Sequence, residues 1–167
     1  MVKLFVLDVD GVLTDGTLHY SADGEIIKVF HVEDGLGLKL LAKLGIEVAV
    51  ISGRRSAALE RRLDDLGIRR RRLKASDKVA ALGDICADTG VTLADCAFMG
   101  DDLVDLAVMK AVKLAIAPAN AVPEVKAIAH HITQRCGGQG AARDACEYLA
   151  GLAGTSLAAL FDGKATN

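Results

Sequence analysis

Val2-Lys3-Leu4-Phe5-Val6-Leu7-Asp8-Val9-Asp10-Gly11-Val12-Leu13-Thr14-Asp15-Gly16 opens as an apolar run of strand length and ends it in two carboxylates one residue apart. Carboxylates rarely enter an apolar interior unpaired, so a buried strand that ends this way needs something to offset their charge. In open α/β sheets, ligands sit outside the carboxyl ends of the strands, which is where Asp8 and Asp10 fall. Gly11 lets the backbone turn away tightly. The stretch predicts a buried parallel strand whose terminal Asp8 and Asp10 hold a hard cation and meet a phosphate.

Working outward, the same arrangement recurs. Glu47-Val48-Ala49-Val50-Ile51 reads as a strand ending in Ser52-Gly53-Arg54, and Cys96-Ala97-Phe98-Met99 as one ending in Gly100-Asp101-Asp102. Between and after them, apolar spacing predicts helices over 36–44, 55–66, 78–88 and 103–110, the last with Leu103, Leu106 and Ala107 inward. Gly45 and Gly67 are stop signals, and Ser76 or Asp77 is the cap of the third helix. Arg70–Leu73, Val112–Ile116 and His130–Thr133 read as further short strands, with helices around 122–128 and over 141–152. Alternating strand and helix predicts one α/β domain over 1–167: a doubly wound parallel sheet with helices on both faces. Two β-rich stretches, 17–21 and 25–31, flank Ala22-Asp23-Gly24, a hairpin signal. An isolated hairpin is marginal in water, so Tyr20, Ile27, Val29 and Phe30 need a cover, and copies of the hairpin in an oligomer are the favoured one. The tail from Gly154 is expected to fray.

Composition narrows the class. The chain is 51% hydrophobic but only 4% aromatic, with no Trp, so its core is aliphatic. A net charge of −2 gives no electrostatic case for nucleic acid or a membrane surface. Charge is nonetheless segregated: Arg54–Lys74 holds nine basic and three acidic residues, Ala75–Lys110 two basic and seven acidic. That is either a solvated face or a positive rim that draws an anion toward an acidic floor. Cysteines 86, 96, 136 and 146 have no metal-site spacing and read as reduced core thiols. The first residues run straight into a strand without signal-peptide regions, and no apolar run approaches a membrane span, so the expected location is cytoplasmic.

Three strand ends carrying Asp8/Asp10, Ser52 and Asp101/Asp102, with Asp105 a turn later, lie side by side in a parallel sheet. Converging carboxylates raise each other's pKa, and a divalent cation resolves the conflict; all-oxygen ligands suit Mg²⁺. Helix N-capping explains Asp101 or Asp102 but not Asp8 together with Asp10. Lys78 opens a helix, where a cation opposes the dipole unless an anion lies between. His130 and His131 point to opposite faces of a strand and cannot share a metal.

Asp8-x-Asp10-Gly11, Ser52, Lys78 and Gly100-Asp101-Asp102-x-x-Asp105, in that order, resemble the four motifs of the haloacid dehalogenase-like phosphatases. The resemblance covers residue 3 to about 150. Within that superfamily, Leu7–Gly16, Asp34-Gly35-Leu36-Gly37, Gly53-Arg54, Gly100–Asp105 and Gly137-Gly138-Gln139-Gly140-Ala141-Ala142-Arg143 look like the 3-deoxy-D-manno-octulosonate 8-phosphate phosphatases. The resemblance implies a capless, Mg²⁺-dependent phosphomonoesterase of lipopolysaccharide precursor synthesis, assembled as a homotetramer through its hairpins. Asp8 is then the nucleophile and Asp10 the acid and base. Mg²⁺ is held by Asp8, the Asp10 carbonyl and Asp101, with Asp102 and Asp105 behind them. Ser52, Gly53 and Lys78 bind the phosphoryl group, and Arg54 and Asp15 contact the sugar acid. Gln139 departs from the pattern, since octulosonate enzymes usually carry Arg there. The alternatives are a nonulosonate 9-phosphate substrate and, outside enzymes, a phospho-accepting receiver or a silent scaffold.

Overall fold

The computed structural model describes residues 1–22 and 24–161; Asp23 of the expected hairpin turn and 162–167 of the expected frayed tail lie outside them. In chain order the elements are β1 (Leu4–Leu7), β2 (His19–Ser21), β3 (Gly24–Ile27), α1 (Val32–Leu41), β4 (Glu47–Ser52), α2 (Ala57–Leu66), β5 (Arg70–Leu73) and α3 (Lys78–Thr89). Then come β6 (Cys96–Met99), α4 (Leu106–Ala111), β7 (Leu114–Ala117), α5 (Pro123–Ile128), β8 (His131–Ile132), α6 (Ala141–Leu152) and α7 (Leu157–Phe161).

Six strands form one sheet in the order β5-β4-β1-β6-β7-β8, every pair parallel. Side chains alternate across its faces, as the two-residue strand period requires. Phe5, Leu7, Val50 and Met99 pack with α1, α2, α6 and α7, whereas Leu4, Val6, Ala49, Ile51 and Phe98 pack with α3, α4 and α5. Leu7 is in register with Val50 on one side and Met99 on the other, so the ends of β4, β1 and β6 lie abreast. This is the edge at which the sequence placed its carboxylates.

Local chemistry sets the boundaries. The Ser56 hydroxyl accepts the Leu59 N–H to open α2, and Gly67 closes it in the left-handed conformation. Asp77, not Ser76, caps α3, accepting the N–H groups of Val79 and Ala80. The cap of α6 comes from another helix: Gly140 offers no side chain, and Asp34 of α1 accepts the Arg143 N–H at 2.7 Å.

Several expectations need correcting. The first helix starts at Val32 rather than Leu36, and Leu36 faces outward. Asp102 and Asp105 make a capping box that converts 103–105 into a separate 3₁₀ turn, so Leu103 and Ala107 are exposed, while Leu106 packs on the core as expected and is joined there by Val108 and Met109. Beyond Gly154 the chain does not fray at once: α7 follows, with Leu157 and Leu160 buried in the core. The hairpin forms a separate two-stranded ladder that ends at Ile27. Phe30 folds back against the main core, while Tyr20, Ile27 and Val29 are more than half exposed. Among the described residues the four cysteines are unpaired, and no helix is long and apolar enough to cross a membrane.

Candidate active site

A cleft of about 490 Å³ opens over the abreast ends of β4, β1 and β6. Asp8, Asp10, Ser52, Gly53, Arg54, Lys78, Asp101 and Asp102 all line it. Asp105 lies beneath, fully buried.

The floor is a chain of ion pairs. Lys78, at the first turn of α3, reaches Asp8 Oδ1 at 3.0 Å and Asp105 Oδ1 at 2.6 Å. The other Asp105 oxygen accepts the N–H groups of Asp101 and Asp102 at 3.1 and 3.4 Å. Burial pulls the Lys78 ammonium down, but the two carboxylates outweigh it and hold it above its ordinary value. The anions that justify a lysine at this helix end are therefore side chains of the protein itself, and Asp77 serves the helix dipole.

Asp8 and Asp101 are less well compensated. Burial raises Asp8 despite Lys78. Burial, followed by the charges of Asp8 and Asp105, pushes Asp101 up to about 7. Asp101 Oδ1 is buried without a hydrogen-bond partner. Oxygens of Asp8, Asp101 and Asp105 lie within 4.8 Å of one another. Three carboxylates against one ammonium leave two uncompensated negative charges, which matches a divalent cation. Both Asp105 oxygens are already engaged, so the free donors are those of Asp8 and Asp101. The residues fit Mg²⁺ with oxygen ligands and water.

The turn after β1 is held tightly. The Val9 carbonyl accepts the N–H groups of Val12, Leu13 and Thr14. Gly11 has φ +87°, and a Cβ there would stand 1.9 Å from Asp101 Oδ2. Only glycine lets the two acidic segments approach this closely. From the other side, a Cβ on Gly137 would meet the Gly11 carbonyl at 1.8 Å, and Asn120 bridges the two segments through Gly137 N–H at 2.7 Å. Ser52 is buried at the end of β4, and its Oγ accepts the Arg54 N–H, which leaves its own proton free to donate.

Asp10 faces the hairpin. Lys28, its side chain only 4% exposed, pairs with Asp10 and, at 3.1 Å, with Glu25. The sequence reading missed Lys28, Glu25, Tyr20 and Asn120; the one local signal was a lysine inside the apolar run 26–30. Asp15 is not brought to the cleft wall. It is exposed and its carboxylate accepts the Thr17 N–H, closing the turn into the hairpin. Asp102 lines the cleft but spends its carboxylate on the Leu103 N–H. Gln139 is exposed, beside glycines packed on the β1 turn. His130 Nδ1 accepts the Ala115 N–H, while His131 stacks on Tyr148 at 3.8 Å, so the two rings share no site.

Residues 73–143 match the haloacid dehalogenase-like hydrolase model. A 3-deoxy-D-manno-octulosonate 8-phosphate phosphatase of Haemophilus influenzae is 46% identical over 148 residues, covering 89% of this chain and 82% of its own. The Escherichia coli K12 enzyme of the same name is 38% identical over the same length, with 79% of its chain covered. Among solved structures, the cobalt-bound Haemophilus influenzae phosphatase superposes with a TM-score of 0.89 at 45% identity, covering 92% of this chain and 90% of that one. The Moraxella catarrhalis phosphatase in complex with magnesium ion, phosphate ion and KDO superposes with a TM-score of 0.85 at 40% identity, covering 89% and 85%.

Proposed function

This chain belongs to the 3-deoxy-D-manno-octulosonate 8-phosphate phosphatases of the haloacid dehalogenase-like superfamily, and from that premise we propose how its residues divide the reaction. The enzyme is a phosphomonoesterase that releases octulosonate and phosphate, a step in lipopolysaccharide precursor synthesis, with Mg²⁺ as cofactor. Asp8 attacks phosphorus: a bond forms between its carboxylate oxygen and phosphorus while the bond to the sugar C8 oxygen breaks. Asp10 gives that oxygen its proton, then takes one from the water that hydrolyses the aspartyl-phosphate. Lys78 neutralises a phosphoryl oxygen and keeps Asp8 ionised. The Ser52 hydroxyl and the Gly53 N–H position the remaining oxygens, as phosphoryl transfer requires positioning and charge neutralisation above all.

Asp8, Asp101 and the Asp10 backbone carbonyl would hold Mg²⁺. Bound there, the ion neutralises both the carboxylates and the transferred group. Asp105 acts through Lys78 and the Asp101 backbone. Arg54 reads the sugar-acid carboxylate, for which its planar fork is suited. The exposed faces of Tyr20, Ile27 and Val29 support an assembly joined at the hairpins, which we read as a homotetramer; each chain is read as one domain and the enzyme as cytoplasmic.

The observation that carries this reading is the buried Asp8–Lys78–Asp105 chain beside the unpartnered Asp101 oxygen. Phosphate release is the test, with octulosonate 8-phosphate and a nonulosonate 9-phosphate compared with and without Mg²⁺. The octulosonate should be preferred, and Asp8→Asn should abolish release. Equal turnover of both sugars would overturn the substrate assignment, and Mg²⁺-independent release would overturn the mechanism.

A further inference from the structure

Arg54 belongs to the loop after β4, yet its guanidinium is held by the hairpin. Tyr20 and Glu25 are registered opposite each other across the β2–β3 ladder. Arg54 Nη2 donates to the Tyr20 hydroxyl, and its Cζ stands 5.7 Å from the Tyr20 ring centroid. The Glu25 carboxylate lies 3.6 Å from the same Nη2. One edge of the fork is thus occupied by the hairpin.

The Nε–H on that same side of the fork is left over. Arg54 Nε is buried with no hydrogen-bond partner, and Asp10 Oδ2, at 3.8 Å, is beyond hydrogen-bond reach. A buried N–H without an acceptor is costly and rare. The Arg54 side chain lines the cleft beside Asp10, the proposed acid–base residue, and the charge contact with that carboxylate also holds the guanidinium there. Arg54 also borders a second hollow, of about 550 Å³, whose wall includes Tyr20 and Glu25. An arginine free at a cleft mouth samples many rotamers and loses that entropy on binding. This one is held before any ligand arrives.

We propose that Tyr20 and Glu25 are positioning residues for specificity: they hold the Arg54 guanidinium at the cleft wall, where it meets an acidic acceptor on the substrate. The hairpin is then part of the recognition apparatus as well as an assembly element. This inference rests on Arg54 as the reader of the sugar-acid carboxylate, and the test separates the two.

The measured quantity is the ratio of kcat/KM for octulosonate 8-phosphate to that for p-nitrophenyl phosphate, which lacks a carboxylate. In Tyr20→Phe the ratio falls about tenfold, the order expected for one hydrogen bond to a charged group, through KM rather than kcat. Glu25→Gln lowers it in the same direction. Arg54→Ala lowers it further, and adding Tyr20→Phe to Arg54→Ala changes nothing more, because the coupled partner is gone. If Tyr20→Phe and Glu25→Gln keep the wild-type ratio while Arg54→Ala loses it, Arg54 reads substrate without help from the hairpin and the inference fails alone. If Arg54→Ala keeps the wild-type ratio, the reading of Arg54 fails and the inference fails with it. Light scattering on each variant guards against lost assembly. The Glu25 side chain is only 10% exposed, so a lowered ratio in Glu25→Gln at unchanged mass supports the proposal, and an unchanged ratio overturns it.

Discussion

Replacing Asp105 by Asn keeps the shape of a fully buried side chain and removes its charge. The carboxylate accepts three hydrogen bonds, one from Lys78 at 2.6 Å and two from the Asp101 and Asp102 backbone. An amide has one oxygen and one NH₂ group. If its oxygen stays with the backbone, the NH₂ meets the Lys78 ammonium; if it turns to Lys78, the NH₂ meets two N–H donors. Each orientation leaves a buried donor facing a donor. Losing one partner of a buried, hydrogen-bonded ion pair costs about 3–5 kcal/mol. Relief of the repulsion that Asp105 exerts on Asp8 and Asp101 offsets part of this. A net loss of about 2–4 kcal/mol corresponds to a fall in Tm of roughly 10 °C for a chain of this size. Activity falls further, by about 10²-fold in kcat, because Lys78 and the Asp101 backbone both shift at the reacting centre. Thermal denaturation and phosphate release measure both effects. Asp102→Asn is the control: that side chain is an exposed cap, a position where Asn serves as well as Asp, so its Tm stays within about 1 °C. An Asp105→Asn protein with wild-type Tm and kcat would refute the reasoning.

Three further outcomes follow from the same geometry. Gly11→Ala drives a Cβ into Asp101 at a positive φ, so phosphate release falls by about 10²-fold or more; near-normal turnover would show that the two segments need not touch. In the metal-free protein the folded state holds a proton on Asp101 up to about pH 7. The unfolded chain gives that proton up near pH 4, so this group costs stability progressively as pH rises from 4 to 7. Asp101→Asn is therefore more stable than wild type at pH 8 and equal to it at pH 4, and Mg²⁺ raises the wild-type Tm more at pH 8 than at pH 5; calorimetry that found the reverse order would contradict this. Val29→Glu places a charge on the exposed outer face of the hairpin, and light scattering should show the proposed hairpin-joined tetramer falling to a smaller species.

Much of the fold was legible because its signals are local. β1, β4 and β6 are short apolar runs with polar ends, and α6 begins after a glycine cluster and matches its expected span. The start of α1 was hidden because His31 supplies no side-chain cap and Asp34-Gly35-Leu36-Gly37 looks like a loop. Its glycines serve packing: a Cβ on Gly37 would press on Arg143 and Cys146 of α6 at 3.1 and 3.2 Å. The inward face of α4 was misread because the Asp102–Asp105 capping box inserts a 3₁₀ turn and resets the helical phase. At the site, the residues on strand ends could be found from their spacing along a parallel sheet. The hairpin contacts could not. Lys28 meets Asp10, and Tyr20 meets Arg54, across 18 and 34 residues, and no periodicity in either segment encodes which partner lies opposite.

In the proposed reaction Asp8 accepts the phosphoryl group and Asp10 shuttles the protons. Borohydride quenching during turnover reduces an acyl-phosphate to the alcohol, so an aspartyl-phosphate on Asp8 is read by peptide mass spectrometry as homoserine at position 8. The division of roles predicts that conversion at Asp8 alone, building up more slowly in Asp10→Asn because both formation and hydrolysis of the intermediate slow, and none in Asp8→Asn. Homoserine at any other aspartate, or none in the wild type and Asp10→Asn, would contradict it.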